Sequence, residues 1–554
     1  MRKLNCYLIS AFITIGAAAQ TKQPVTASAP QTVARPKLVV GIVIDQMRWD
    51  YLYRYYTLYK PGGGFKRLMN DGFSCENTLI PYAPTVTAAG HTCAYTGSVP
   101  AIHGIAGNDW YDKIEHKAVY CTDDSTVTTI GSEGTQGRMS PRNLLATTVT
   151  DELRLATNFA GKVVGVALKD RASILPAGHH PTGAYWYDYK NGGFITSSYY
   201  KEDLPDWVKA FNSRNLVDSL YALNWDISMP ADVYTQYSTA DYEKYENSKS
   251  LGKDSAVFPY DLSRYIGKDY GKIAATPYGN TLTLEMAKAA VTGEDLGKDD
   301  ITDFLAVSFS SPDYVGHSFG PNSWEQLDDY VRLDETLGKL LDFLDASVGK
   351  NQYTVFLTAD HGVAHAAGFM KEMSMPGGLF DEGGTIREMN AKLKDKYGKE
   401  HIIRGIFNYQ VVLNNELLDS TEYINREDIV NWVVNYLQQQ PAVSRAFRLD
   451  NLANVTMNST QKNMITNGYY PSRCGDIQFI LKPGFYEGGA TGTTHGAWNP
   501  YDAHIPLLFY GWGIKHGKLN RETYMTDIAP TIAALLHIQM PSGCVGHVIE
   551  DVMK

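Results

Sequence analysis

Residues 37–45 read Lys-Leu-Val-Val-Gly-Ile-Val-Ile-Asp. An unbroken apolar run of this length, without the alternation of a half-buried strand, fits a strand buried on both faces of a parallel sheet. The run ends on Asp45. In open α/β sheets, sites form at the carboxyl ends of strands. Asp45 is thus a helix cap or a site residue, and this strand alone does not choose. Four further runs share the pattern: 162–168, 304–309, 353–358 and 505–510. Helical stretches lie between them. Residues 324–344 carry apolar positions at Leu327, Val331, Leu337, Leu340, Leu341 and Leu344, an amphipathic helix packed on the sheet. Residues 65–70, 281–291 and 526–536 also read as helices. Strand alternating with helix predicts an α/β sandwich, a mostly parallel central sheet flanked by helices. Two long segments break the alternation, at about 181–280 and 366–480, and read as large insertions. The remainder, 37–554, reads as a single catalytic domain.

The chain of 554 residues has a formal net charge of -10, which argues against an electrostatic nucleic-acid binder. Residues 1–20 have the form of a secretory signal peptide: Arg2 and Lys3, an apolar run from Tyr7 to Ile15, then Ala17-Ala18-Ala19. Residues 21–36 read as a flexible linker. The expectation is export to a periplasm or the medium, with no membrane span after cleavage. Five cysteines follow the leader, Cys75, Cys93, Cys121, Cys474 and Cys544, in no zinc-type spacing.

The chemistry-bearing residues fall at the ends of these strands. Asp45 ends the first, Asp313 and His317 follow the third, and Asp360-His361 follow the fourth. His495 lies in a Gly/Thr-rich loop before the fifth. A mixed Asp/His set suits zinc, and three carboxylates with three imidazoles can fill two sites. Each residue alone has an ordinary reading as a cap or loop histidine. Their recurrence at successive strand ends is what singles them out. Thr85 and Thr87 sit in the small-residue stretch 83–91, Ala-Pro-Thr-Val-Thr-Ala-Ala-Gly-His, which opens a helix. A hydroxyl there faces the positive end of the helix dipole, a fitting place for attack on an anionic centre. Asn108, in the glycine-rich loop 102–109, offers an amide N–H, and Lys169 and Arg171 offer two cations after the second strand. His91, His103, His179, His180, His365 and His504 read as structural, because fourteen histidines cannot all be ligands.

These segments resemble the alkaline phosphatase superfamily, and most closely its PafA-type, phosphate-irrepressible members, related to the nucleotide pyrophosphatase/phosphodiesterase branch. The carrying segments are 43–51, 83–91, 102–110, 168–171, 311–317, 358–362 and 494–507, in the family's order. The resemblance implies two Zn2+, one on Asp313, His317 and His495, the other on Asp45, Asp360 and His361. It makes Thr87, rather than Thr85, the nucleophile, bound to the second zinc, and implies a phosphothreonine intermediate. Asn108, Lys169 and Arg171 are then the phosphoryl-binding groups. No third, magnesium-type site is implied, since Lys169 and Arg171 stand in its place. Ala89 departs from the pattern, where relatives often carry Pro. The expected substrates are small phosphate monoesters. The rival reading is a phosphodiesterase or nucleotide pyrophosphatase on the same metals, and the Lys169/Arg171 pair, aimed at a dianionic group, favours the monoester.

Overall fold

The computed structural model describes residues 34–554, and Arg35–Lys554 form one compact unit. The signal-peptide reading of residues 1–20 lies outside the described residues. Leu38–Ile44 (β1) is buried along its whole length and occupies the middle of an 11-stranded sheet. It pairs in parallel with Asp303–Phe309 on one side and Tyr353–Thr358 on the other. Val163–Ala167 and Gly183–Tyr187 continue the parallel run, while at the far side His504–Gly511 runs antiparallel to Tyr353–Thr358 and Phe73–Leu79 pairs antiparallel with His504–Gly511. In chain order we label these strands Phe73–Leu79 (β2), Val163–Ala167 (β3), Gly183–Tyr187 (β4), Asp303–Phe309 (β5), Tyr353–Thr358 (β6) and His504–Gly511 (β7). Because β1, β3, β5 and β6 all point the same way, their carboxyl ends share one edge, which is where the candidate residues lie.

Five helices matter for the site: Thr87–Thr96 (α1), Asp170–Ala177 (α2), Ser311–Phe319 (α3), Trp324–Leu344 (α4) and Ile528–Leu536 (α5). The sequence leaves residues 311–317 as a loop. They form α3, with Pro312 in its first turn, where a missing N–H costs nothing. Helix α4 spans the expected residues and buries its leucine stripe.

Within residues 181–280, β4 and the strand Phe194–Ser197 extend the central sheet, and short helices fill the rest. Residues 366–480 supply three strands of a separate antiparallel sheet, ordered Ile403–Phe407, Gln410–Leu413, Ile477–Leu481 and Val443–Arg448. The fourth, Ile477–Leu481, straddles the end of the segment. Met389, Leu393, Ile429 and Val433 form part of a core beneath that sheet. The five cysteines are free thiols. Among the described residues no helix is long and apolar enough to cross a membrane.

Candidate metal centre and nucleophile

Asp45 follows β1 directly, and its backbone N–H donates to Phe309 O at the end of β5, which fixes the two strand ends against each other. Asp313 lies in the first turn of α3 and His317 one turn later, so both project from one face. Their side chains meet, with His317 Nε2 3.1 Å from Asp313 Oδ1. His495 Nε2 lies 3.7 Å from the same oxygen. Beyond β6, His361 Nε2 lies 3.5 Å from Asp45 Oδ1 and 3.4 Å from Asp360 Oδ2. The His361 and His495 rings stack at 3.4 Å between centroids and join the two halves. Two groups therefore have ligand atoms close enough to share a cation: Asp45, Asp360 and His361, and Asp313, His361 and His495. His317 flanks the second group through Asp313 and is its exposed edge, with about a third of its side chain accessible.

The donor chemistry fits metal ions. Each histidine points Nδ1 at a backbone carbonyl: His317 at Thr493 O, 2.8 Å; His495 at Thr85 O, 2.8 Å; His361 at Gly362 O, 3.0 Å. An Nδ1–H donated in this way leaves the Nε2 lone pair free for a cation. Asp360 Oδ1 accepts backbone N–H groups from Gln46 and His361, both at 3.0 Å, while its Oδ2 is buried without a hydrogen-bond donor. Asp45 Oδ1 is likewise buried and unpartnered. Burial, reinforced by the charges of Asp313 and Asp360, pushes the Asp45 carboxyl well above the usual carboxylate range. Burial, with the His361 and His317 charges, pushes His495 well below the usual imidazole value, which keeps it neutral and able to ligate.

Thr87 is the first residue of α1, and its hydroxyl lies 3.5 Å from His361 Nε2. The chain reaches it in extended conformation at Val86 and then turns into the helix, so the hydroxyl stands at the amino end of a wholly buried segment. Thr85 faces elsewhere: its hydroxyl donates to Ala497 O at 2.8 Å. Asn108 Oδ1 accepts from Ala88 N at 2.9 Å. That fixes the amide plane beside Thr87 and leaves the Nδ2 donors for a ligand. Lys169 immediately precedes α2, which packs against α1, and its ammonium lies 2.6 Å from Asp45 Oδ2 and 2.5 Å from Asp313 Oδ2. Arg171 Nη1 donates to Tyr120 Oη at 3.0 Å, and Tyr120 donates to Asp170 Oδ1 at 2.7 Å.

Several residues at the centre are not singled out by the sequence. Gln46 is wholly buried in the left-handed region, φ 67°. Its Nε2 donates to Asp313 Oδ1 at 2.6 Å while its backbone N–H holds Asp360, so it braces a carboxylate from each ligand group. A non-glycine residue held at positive φ costs energy, of the kind that clusters at functional sites. His91 reads as structural from the sequence, yet its Nδ1 lies 2.9 Å from Thr87 O and 3.3 Å from Asp360 Oδ2. Gly90 lets α1 approach this close: a Cβ there would sit 2.3 Å from Asp360 O. The hairpin tip Asn408-Tyr409, both at positive φ, arrives from the separate sheet, and Asn408 Nδ2 donates to Asp109 O at 2.9 Å.

A family profile described as type I phosphodiesterase / nucleotide pyrophosphatase matches residues 39–502. The chain belongs to that family. It is similar to the alkaline phosphatase PafA of Elizabethkingia meningoseptica, 53% identical over 94% of this chain and 95% of the relative. The alkaline phosphatase PhoV of Synechococcus elongatus is 49% identical over the full length of both. The crystal structure of wild-type PafA superposes with a TM-score of 0.92, at 52% identity, over 94% of this chain and all of that one. This places the chain in the alkaline phosphatase superfamily, with the α/β sheet expected of it. At the carboxyl edge of that sheet this chain gathers Thr87, Asp45, Asp313, His317, Asp360, His361 and His495.

Proposed function

We propose that this chain is an exported alkaline phosphatase that hydrolyses small phosphate monoesters by way of a phosphothreonine at Thr87. Full-length relatives that carry the name alkaline phosphatase, at about half identity, support the activity. The observation that carries the reading is the buried Thr87 hydroxyl at the amino end of α1, 3.5 Å from His361 Nε2 amid converging carboxylates and imidazoles. Two zinc ions fit the mixed donors: Asp313, His317 and His495 would hold one, and Asp45, Asp360, His361 and Thr87 the other. When bound, they supply Lewis acidity that makes the threonine hydroxyl and a water reactive and steadies the leaving oxygen.

The protein's own residues do the rest. The Thr87 oxygen attacks phosphorus in line as the bond to the ester oxygen breaks, the proton given up by Thr87 being balanced by the one the ester oxygen takes up to leave as an alcohol, and water later cleaves the Thr87–phosphoryl bond, restoring the Thr87 hydroxyl and releasing hydrogen phosphate. Lys169 carries three protons and faces two carboxylates, which leaves a donor for a non-bridging oxygen. Asn108 Nδ2 and the remaining Arg171 donors complete the cradle. Two cations beside three acceptor oxygens suit a dianionic monoester and disfavour the diester alternative. In one experiment, the Thr87→Ala variant is assayed for bound zinc and for hydrolysis of an aryl phosphate monoester and the matching diester. Full zinc with monoester turnover abolished supports the reading. Unchanged hydrolysis overturns the nucleophile, and wild-type diester rates equal to or above monoester rates overturn the substrate class.

A further inference from the structure

Asn108 and Arg171, two of the groups proposed for the phosphoryl oxygens, come from different parts of the chain, yet one short hairpin supports both. Asp109–Asp112 pairs antiparallel with Lys117–Tyr120, and Asp109 faces Tyr120 across the ladder. Asn108 leads into this hairpin and Cys121 leads out of it, with Cys121 N donating to Asn108 O at 2.9 Å. At the end of the second strand, Tyr120 Oη accepts from Arg171 Nη1 at 3.0 Å and donates to Asp170 Oδ1 at 2.7 Å. Thr122 Oγ1 donates to Asp170 Oδ2 at 2.7 Å, so hydroxyls from this one segment engage both oxygens of Asp170.

The order of the relay matters. A carboxylate bonded face to face with Arg171 would occupy two donors at once and offset its charge. An interposed phenol takes a single donor of the five that a guanidinium carries. Arg171 Nε is buried without a partner, a donor that an incoming phosphoryl oxygen would satisfy. Burial, with the charge of Asp170, raises the Tyr120 phenol well above its ordinary value, so the relay keeps its proton at alkaline pH. The hairpin is also held from outside by the second insertion. Lys113 N donates to Ser472 O at 2.8 Å, Lys113 Nζ to Gly475 O at 3.0 Å, and Asn408 Nδ2 to Asp109 O at 2.9 Å.

We propose that Tyr120 is a positioning residue for Arg171, and that the hairpin carrying it sets Arg171 and Asn108 in register on one phosphoryl group. This rests on the reading of Arg171 as a phosphoryl ligand. Tyr120 itself touches no reacting atom. Its hydroxyl fixes where the guanidinium points and leaves the charge and the remaining donors to the ester. A dianionic monoester draws more on that cation than a monoanionic diester does, so the monoester reaction depends more on Tyr120.

The test uses the full chain loaded with zinc. Tyr120→Phe, Arg171→Met and the double variant are assayed for zinc content, melting temperature and kcat/KM on an aryl phosphate monoester and the matching diester. Tyr120→Phe should keep its zinc and lose monoester kcat/KM about 10-fold, the order of one hydrogen bond to a charged group, with the diester less affected. In the Arg171→Met background the same substitution should cost nothing further, because the two residues act as one unit. A general loss of packing would instead lower the melting temperature and cost the same in both backgrounds. The inference is overturned by a Tyr120→Phe enzyme as fast on the monoester as the parent, or by equal losses in both backgrounds. If Arg171→Met hydrolyses the monoester unimpaired, the phosphoryl-binding reading of Arg171 falls and this inference with it. An impaired Arg171→Met beside an unimpaired Tyr120→Phe overturns this inference alone. Should Tyr120→Phe fail to fold, Asp170→Asn, which keeps the phenol and weakens its acceptor, goes through the same cycle, and equal losses in both backgrounds again overturn it.

Discussion

Gly90→Ala sets two well-measured effects against each other. In the interior of α1, alanine is the better helix former by about 1 kcal/mol, so propensity alone predicts a stabilised protein. The packing predicts the reverse. A Cβ at position 90 would lie 2.3 Å from Asp360 O, 2.6 Å from Asp360 Cβ and 2.7 Å from Asp360 Cα. Carbon contacts settle near about 3.5–4.0 Å, so α1 and the Asp360 segment must part by roughly 1 Å. Neither side yields cheaply, because Asp360 Oδ1 is held by two backbone N–H groups and α1 is buried throughout. Overpacking of this kind costs ~1–3 kcal/mol, which cancels or exceeds the propensity gain. The larger consequence is positional. Thr87 lies one turn before the clash, and a misplacement of about 1 Å in a reacting group costs on the order of 100-fold in rate. Melting temperature, zinc content and kcat/KM on an aryl phosphate should show an unchanged or lower melting temperature and kcat/KM down ~100-fold. A variant that is more stable than the parent and fully active would refute the argument that Gly90 sets the distance between nucleophile and ligand.

Gln46→Ala removes the brace shared by Asp313 and Asp360, so zinc affinity, measured by competition with a chelator, should fall ~10–100-fold. Replacing Lys169 or Arg171 by Met should cut monoester kcat/KM by ~100-fold or more and leave diester cleavage less affected, which parallel assays read directly. Asn408→Ala should lower kcat/KM without changing zinc content, whereas Asn408→Gly, which relieves the positive φ, should lower kcat/KM while raising the melting temperature. Burial opposes the charge on His179, but its 2.9 Å hydrogen bond to Asp151 outweighs this and raises the His179 pKa. That contribution is fully present below the ordinary value of about 6.5 and is lost as pH rises through the higher folded value, so the stability deficit of His179→Asn should shrink as pH is raised above about 6.5.

The parallel core was legible because residues buried on both faces leave a sequence pattern. Leu38–Ile44, Asp303–Phe309 and Tyr353–Thr358 are nearly all aliphatic or aromatic, and each is buried along its whole length. Gly183–Tyr187 is buried just as fully, but it reads Gly-Ala-Tyr-Trp-Tyr in a segment dense in Tyr, Asp and Ser. Aromatic strand propensity was the available signal there. Asp45, Asp313, His317, Asp360, His361 and His495 stood out by residue type and by position after strands. Gln46, His91 and Asn408 did not, because what they do depends on which distant segments come within 3 Å or so of them. The turn-to-helix step at 311–317 carried a cue in Pro312, a residue favoured in a first helical turn.

Electrostatic balance ties these features to the substrate. When ionised, as metal ligands are, Asp45, Asp313 and Asp360 bring three negative charges to a buried centre, and Lys169 and Arg171 return two positive ones. A buried centre left with net negative charge would repel a phosphate ester, so the protein alone cannot be the complete site. Two divalent cations, held on the Asp/His groups as proposed, would turn that balance to a surplus of three positive charges. A deprotonated Thr87 and a dianionic monoester together carry three negative charges and cancel it, whereas a monoanionic diester leaves one positive charge unmet. Neutralising Lys169 or Arg171 removes that surplus charge. The charge balance and the placement of the two cations therefore lead to the same expectation: their loss erodes the preference for monoesters over diesters before it abolishes phosphoryl transfer.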